Sequence, residues 1–110
     1  MITKPTKENV LECLKLLCKK FPKAFNIQDP KPLKINIHED IKRALKKYNL
    51  REDVLQLTLR IYMGKAKYIQ ATLDETHRIN LYGDQSRKKI QKKHKDYARE
   101  KLEELSKKAS

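Results

Sequence analysis

The decapeptide KPLKINIHED, Lys31 to Asp40, sets an alternating pattern against a change of charge. Leu33, Ile35 and Ile37 fall at every second position, which predicts a short strand with those three turned inward and Lys34 and Asn36 turned outward. Glu39 and Asp40 then bring acid into a lysine-rich chain, where negative charge would complement the first turn of a helix. Lys34 is thus presented from an ordered, apolar-backed segment, although the chain has 27 Lys and Arg residues to offer its surroundings. The choice lies between a lysine that is merely solvated and one held in place for a ligand.

Downstream, Ile41, Leu45 and Tyr48 return to helical spacing as far as Asn49, a residue suited to ending a helix. Residues 52–63 fit two patterns. Leu55, Leu57, Leu59 and Ile61 alternate, whereas Val54, Leu55, Thr58, Leu59, Ile61 and Tyr62 make a wide helical face. Glu52 and Asp53 in front and Gly64 behind favour the helix. Residues 68–73 and 78–82 read as two short strands around an Asp-Glu-Thr turn, a hairpin ended by Gly83 and Asp84. Ser86 is then placed to cap a long final helix, with Ile90, Tyr97, Ala98, Leu102 and Leu105 as its apolar stripe and His94 on the same side. Lys88, Lys92, Lys95 and Arg99 line another side of that helix.

Upstream, Val10, Leu14, Leu17, Cys18 and Phe21 form one face of a helix over residues 6–21. Thr3 or Thr6 can cap it, Pro5 suits its first turn, and Pro22 ends it. Residues 25–32 form a loop, with Asp29-Pro30 and Pro32 imposing extended geometry. Neither a repeat nor a long linker divides the chain. The fold class is therefore α+β: mostly helix, a small β-hairpin or short sheet, and a long C-terminal helix, in a single domain over residues 1–110.

Composition narrows the function classes. A chain of 110 residues with 38% apolar content can bury a modest core. Its formal net charge of +13 opposes compaction by self-repulsion and calls for an anionic partner. Nucleic acid leads, because neutralising phosphates releases counterions; an anionic membrane surface and acidic proteins follow. No apolar run is long enough to span a bilayer or to act as a secretory core, so no membrane insertion is expected. Cys13 and Cys18, without a C-x-x-C spacing or a histidine pair nearby, read as reduced thiols and indicate the cytoplasm.

An enzyme is disfavoured. His38-Glu39-Asp40 invites comparison with a metal nuclease, but adjacent helical residues do not converge on one face, and the helix dipole explains the acids. His38, His77 and His94 show no metal-ligand spacing, and no Gly-rich phosphate loop is present. No metal, cofactor or small-molecule substrate is expected.

Several runs together resemble the ProQ/FinO domain family: Phe21-Pro22-Lys23-Ala24-Phe25, Lys31-Pro32-Leu33-Lys34-Ile35-Asn36-Ile37, Leu59-Arg60-Ile61-Tyr62, Tyr68, Arg78-Ile79-Asn80-Leu81-Tyr82-Gly83, and Ala98-Arg99-Glu100-Lys101-Leu102-Glu103-Glu104-Leu105. The resemblance covers roughly residues 8 to 105. It implies an RNA chaperone that takes structured RNAs, above all intrinsic terminator hairpins with a single-stranded 3′ tail. It also implies assistance to pairing between small or antisense RNAs and messengers. Lys34, Tyr68 and Arg78 match residues of the family's concave face, and Arg60 and Lys67 are similar to further members of it. Asn36 stands where the family often has glycine, Gln56 where a basic residue is frequent, and Ala66 where a bulkier one is found. Without the linker and second domain of some members, the chain reads as a minimal version.

Residue chemistry agrees with an RNA partner. The deep, narrow major groove of A-form RNA favours readout of backbone and shape, to which fixed lysines and arginines are suited. An unpaired 3′ end offers bases and a ribose to a tyrosine ring and a forked arginine. The helix opening near Asn36 and His38 offers backbone N–H groups to phosphate. Each candidate also has a plain alternative. Lys34 could be solvated, Tyr68 could pack, Arg78 could pair with Asp74 or Glu75, and Lys88, Lys92, Lys95 and Arg99 could be a wet helix face instead of accessory phosphate contacts. A nucleoid-type DNA-coating protein remains the competing function. With no obvious exposed apolar stripe, the chain is expected to be a monomer.

Overall fold

The computed structural model describes residues 4–109. Helix α1 spans Lys7–Lys20. Thr6 caps it by accepting the Asn9 N–H, while the Asn9 side chain accepts the Thr6 N–H, so two of the orphan donors are satisfied reciprocally. Thr3 lies outside the described residues, and Pro5 precedes the cap instead of entering the first turn. Val10, Cys13, Leu14 and Leu17 form the buried face of α1, and Phe21 closes its C-terminus.

Residues 33–37 do not form the expected strand. Leu33 makes a single parallel bridge to Ile79, after which the chain turns sharply, with the Ile37 N–H donating to the Lys34 carbonyl at 3.2 Å. Asn36, the third residue of that turn, has φ 64 and ψ 27. This left-handed conformation favours glycine and is tolerated by asparagine, which accounts for the residue found there. Leu33 and Ile37 are buried as expected, but Ile35 sits on the turn and is 57% exposed.

Helix α2 then runs Ile37–Ala44, with Glu39 and Asp40 in its first turn, and a 3₁₀ turn Lys46–Tyr48 leads to Asn49, also left-handed. Helix α3, Glu52–Met63, is mostly buried along Val54, Leu55, Thr58, Leu59 and Tyr62, and Gly64 caps it. The wide helical face, and not the alternation, is the correct reading of this segment.

The expected hairpin is displaced. Residues 66–74 are helix α4, Ala66–Asp74, burying Tyr68, Ile69 and Thr72 at helical spacing. The two strands are β1, His77–Ile79, and β2, Gln85–Lys89, antiparallel with an irregular register between the pairs His77–Lys89 and Ile79–Gln85. Gly83 and Asp84 do not end the sheet; they turn between its strands, with Asn80 accepting N–H groups from Tyr82 and Asp84. Ser86 lies in β2 and caps nothing, and Lys88 is a strand residue. The final helix α5 starts later, Lys92–Ala109.

Within α5 the expected stripe is only partly buried. Ala98 is buried, Leu102 and Leu105 are half-buried, Tyr97 is 62% exposed, and buried Ile90 precedes the helix. The main core lies between α1, α3, the loop around Phe25, and the Leu33–Ile41 segment, while α5 packs chiefly on α4. Its aromatic centre is Phe25, Tyr62 and Tyr68, with ring centroids 5.2 and 5.7 Å apart in sequence. None of the described helices is long and apolar enough to cross a membrane.

Candidate RNA interface

The Leu33 backbone is the keystone of the site. Its N–H donates to the Tyr68 hydroxyl at 2.8 Å, and its carbonyl accepts from Arg78 Nη1 at 3.1 Å. Neighbouring bonds fix the same segment, the Lys34 N–H to the Ile79 carbonyl at 2.8 Å and the Ile79 N–H to the Pro32 carbonyl at 2.9 Å. Together these satisfy buried backbone groups that would otherwise be costly to desolvate. Their consequence is a fixed base for Lys34, whose side chain projects outward and is half-exposed.

Tyr68 is 5% exposed. Burial pushes its phenol up, and the Leu33 N–H and the Arg78 guanidinium pull it part of the way back, so the hydroxyl stays protonated at neutral pH. Its ring faces Tyr62 and not solvent. Arg78 carries a second contact, from Nη2 to His94 Nδ1 at 3.2 Å, and leaves Asp74 and Glu75 without the pairing considered for it. Glu75 is instead bound by Lys31 at 2.9 Å. Desolvation and the nearby Arg78 and Lys93 charges hold His94 below its usual value, which keeps Nδ1 available as an acceptor.

Two adjoining concavities share Arg60, Met63 and Arg78. One, of about 370 Å³, is lined also by Lys34, Asn36 and His38. The other, of about 530 Å³, is lined also by Tyr68, His94 and Tyr97. Lys34 and Tyr68 therefore occupy neighbouring hollows, with the two arginines between them. Neither lining includes an aspartate or glutamate. The adjacent acids are engaged, Asp40 with Lys34 at 2.8 Å and Glu39 with His38 Nε2 at 3.2 Å.

Lys67 is not brought to this face; it borders a separate groove with Ile27, Pro30 and Lys65. Nor do the four accessory cations form one row. Lys88 lies on β2, while Lys92 and Arg99 both pair with Asp96, at 3.3 and 3.1 Å. Lys95 points inward, its Nζ donating to the carbonyls of Leu73 and Glu75 at 2.9 and 2.8 Å. There it caps the last carbonyls of α4 and pins α5 against it.

His94, Tyr97 and Lys101 also line the larger concavity, although the sequence motifs do not mark them as site residues. Their signal was their spacing: with Ala98 and Leu105 they recur every three or four residues, so they share one face of α5. Among the described residues, no group of three or more His, Cys, Asp or Glu side chains is arranged to hold a metal ion.

A family model described as ProQ/FINO matches residues 7–110. Two curated relatives, each named RNA chaperone ProQ, come from Alteromonas mediterranea and Pseudoalteromonas atlantica. The first is 32% identical, covering 93% of this chain and 46% of the relative; the second is 33% identical, covering 87% and 45%. The chain thus spans about half the length of these relatives. Among solved structures, a ProQ homolog from Legionella pneumophila superposes with a TM-score of 0.72 at 23% identity, covering 94% of this chain and 88% of the other. A FinO-like RNA chaperone from Neisseria meningitidis MC58 gives 0.74 at 15% identity, covering 94% and 82%. Shared by the sequence motifs, the family model and the curated relatives, the assignment is plain: the chain belongs to the ProQ/FinO family.

Proposed function

We propose that this chain is an RNA-binding domain with RNA chaperone activity. It takes intrinsic terminator hairpins with a single-stranded 3′ tail and promotes annealing or strand exchange between small or antisense RNAs and messengers. It does so as a monomer in the cytoplasm. The observation that carries the reading is the pair of concavities whose linings hold Lys34, Arg60 and Arg78 but no carboxylate, with Arg78 hydrogen-bonded to the backbone beneath Lys34. Phosphates of an A-form stem meet Lys34 and Arg60, and the first turn of α2 near Asn36 and His38 adds the positive end of its dipole. Tyr68 supports this face from beneath, and the exposed cations Lys88, Lys92 and Arg99 are left as separate accessory phosphate contacts, the last two on release from Asp96. The relatives' name, RNA chaperone, supports the same reading.

The test is competition binding at fixed, near-physiological salt between a terminator hairpin and duplex DNA of equal length. The hairpin should win, and Lys34→Ala should lose about 1–3 kcal/mol of affinity, the scale of a charge-assisted hydrogen bond. Lys107→Ala, in the last turn of α5, should change little. Log affinity should fall linearly with log salt, by about 0.7–0.9 per phosphate contact. Trimming the tail or blocking its terminal hydroxyls should weaken binding more than reversing stem base pairs. Preference for DNA, or equal losses for Lys34→Ala and Lys107→Ala, would refute the reading in favour of unspecific charge.

A further inference from the structure

The larger concavity, between the end of α3, α4 and α5, contains more than phosphate chemistry requires. Its lining is mainly apolar, with buried Ile69 and Ala98 beside the more exposed Met63 and Tyr97. Tyr97 is 62% exposed and Met63 36%, an aromatic ring and a thioether left facing solvent in a chain of mean hydropathy −0.86. Among the described residues Tyr97 stacks on no other ring. Arg60 and Arg78 border the same space, and Lys101 adds a cation that, among the described residues, pairs loosely with Glu104 at 3.6 Å. At about 530 Å³ the cavity lies within the ~300–1,000 Å³ usual for small-ligand pockets.

We propose that this cavity is a base-binding subsite, in which an unpaired nucleobase of the bound RNA stacks on Tyr97 while Arg60 and Lys101 hold the flanking phosphates. The inference rests on the RNA-binding reading and deepens it. A flat apolar platform ringed by cations, with no carboxylate in the lining, is complementary to a nucleotide: apolar and planar at its base, anionic at its backbone. A purely apolar ligand would make no use of Arg60 and Lys101, whereas Arg78 is already held by the Leu33 carbonyl and His94. A phosphate alone would make no use of Tyr97 and Met63. Because stacking uses only the π-face common to all bases, the subsite should tolerate any base in the tail.

The experiment uses the full chain and a hairpin RNA with a single-stranded 3′ tail, in an intact form and with an abasic residue at each tail position in turn. Tyr97→Leu should fold normally, as its side chain is exposed, and thermal melting checks this. It should weaken the intact tailed hairpin by about five- to a hundredfold, the span of a base–aromatic stack, whereas Tyr97→Phe should stay within about twofold of wild type. One abasic position should weaken wild type by a similar factor and cause no further loss in Tyr97→Leu. An unchanged affinity for Tyr97→Leu, or additive losses at every abasic position, would overturn the subsite. If Lys34→Ala weakens binding in that case, the RNA reading survives and only the subsite falls. If wild type binds no hairpin, both fall.

Discussion

Replacing Tyr68 with phenylalanine isolates one oxygen atom on which the site depends. The ring is 5% exposed and packs edge-on against Tyr62 at 5.7 Å, contacts that phenylalanine keeps. What disappears is the acceptor for the Leu33 N–H, at 2.8 Å and buried. An amide left unsatisfied in such a place costs about 1–3 kcal/mol, and the space vacated by a hydroxyl adds little to that. We expect a loss near 2 kcal/mol, equivalent to about 8–12 °C in melting temperature for a domain of this size. Urea unfolding at constant pH should show the midpoint fall with the slope unchanged. RNA affinity, measured where both proteins are folded, should drop only modestly, because Arg78 still holds the Leu33 carbonyl and Ile79 still accepts the Lys34 N–H. The refuting result is the inverse pattern. Full stability with a large loss of affinity would mean that the hydroxyl meets RNA directly and that the scaffold role is wrong.

Lys95→Met keeps the aliphatic stem but removes the charge that caps α4, so it should cost about 1–3 kcal/mol in a denaturant melt and leave folded-state RNA affinity nearly intact; a large affinity loss without destabilisation would return Lys95 to the phosphate contacts. Gly83 has φ +85, and a Cβ there would lie 3.0 Å from Lys23 Cβ, so Gly83→Ala should destabilise by at least about 1–2 kcal/mol, and an unaltered melting temperature would contradict the turn geometry. His94 sits below its ordinary value of 6.5, so between that value and its folded value the unfolded chain binds more protons, and its contribution to stability declines as pH falls below about 6.5. An NMR titration placing His94 above 6.5 would reverse that sign.

Much of the helical frame was legible because its signals are local. Thr6, Pro22 and the Val10–Phe21 spacing define α1, and Glu52, Asp53 and Gly64 bracket α3. Helix α4 was misread because Tyr68, Ile69 and Thr72 are residues that also suit strands, and Lys65 before it supplies no side-chain cap. Burial against its neighbours, α5 above all, decided the matter over propensity. Strand β2 could not be found by alternation, since Gln85 to Lys89 are all exposed. For the site, the motif placed Lys34, Arg60, Tyr68 and Arg78 on the page but not their division of labour. The Leu33 backbone is held from 35 and 45 residues away, and no local pattern records such a bond.

That division bears on why one lysine can matter in a chain of charge +13. Tyr68 and Arg78 direct their polar atoms at the backbone beneath Lys34, which lowers the ordering cost that a mobile surface lysine would meet on binding. In the free protein the ammonium rests on Asp40 at 2.8 Å, with half of the lysine side chain exposed. An exposed pair of this kind contributes only about 0–1 kcal/mol. A charge-assisted bond to phosphate in a water-excluded interface is worth about 1.5–3 kcal/mol, so the proposed exchange of the carboxylate for phosphate would run toward RNA. Asp40 meanwhile stays stabilised in the first turn of α2, with Arg43 3.7 Å away as its second partner. In the proposed complex, binding at Lys34 would be an exchange of anions on a base already fixed by Tyr68 and Arg78, and that fixed base would set it apart from the solvated lysines around it.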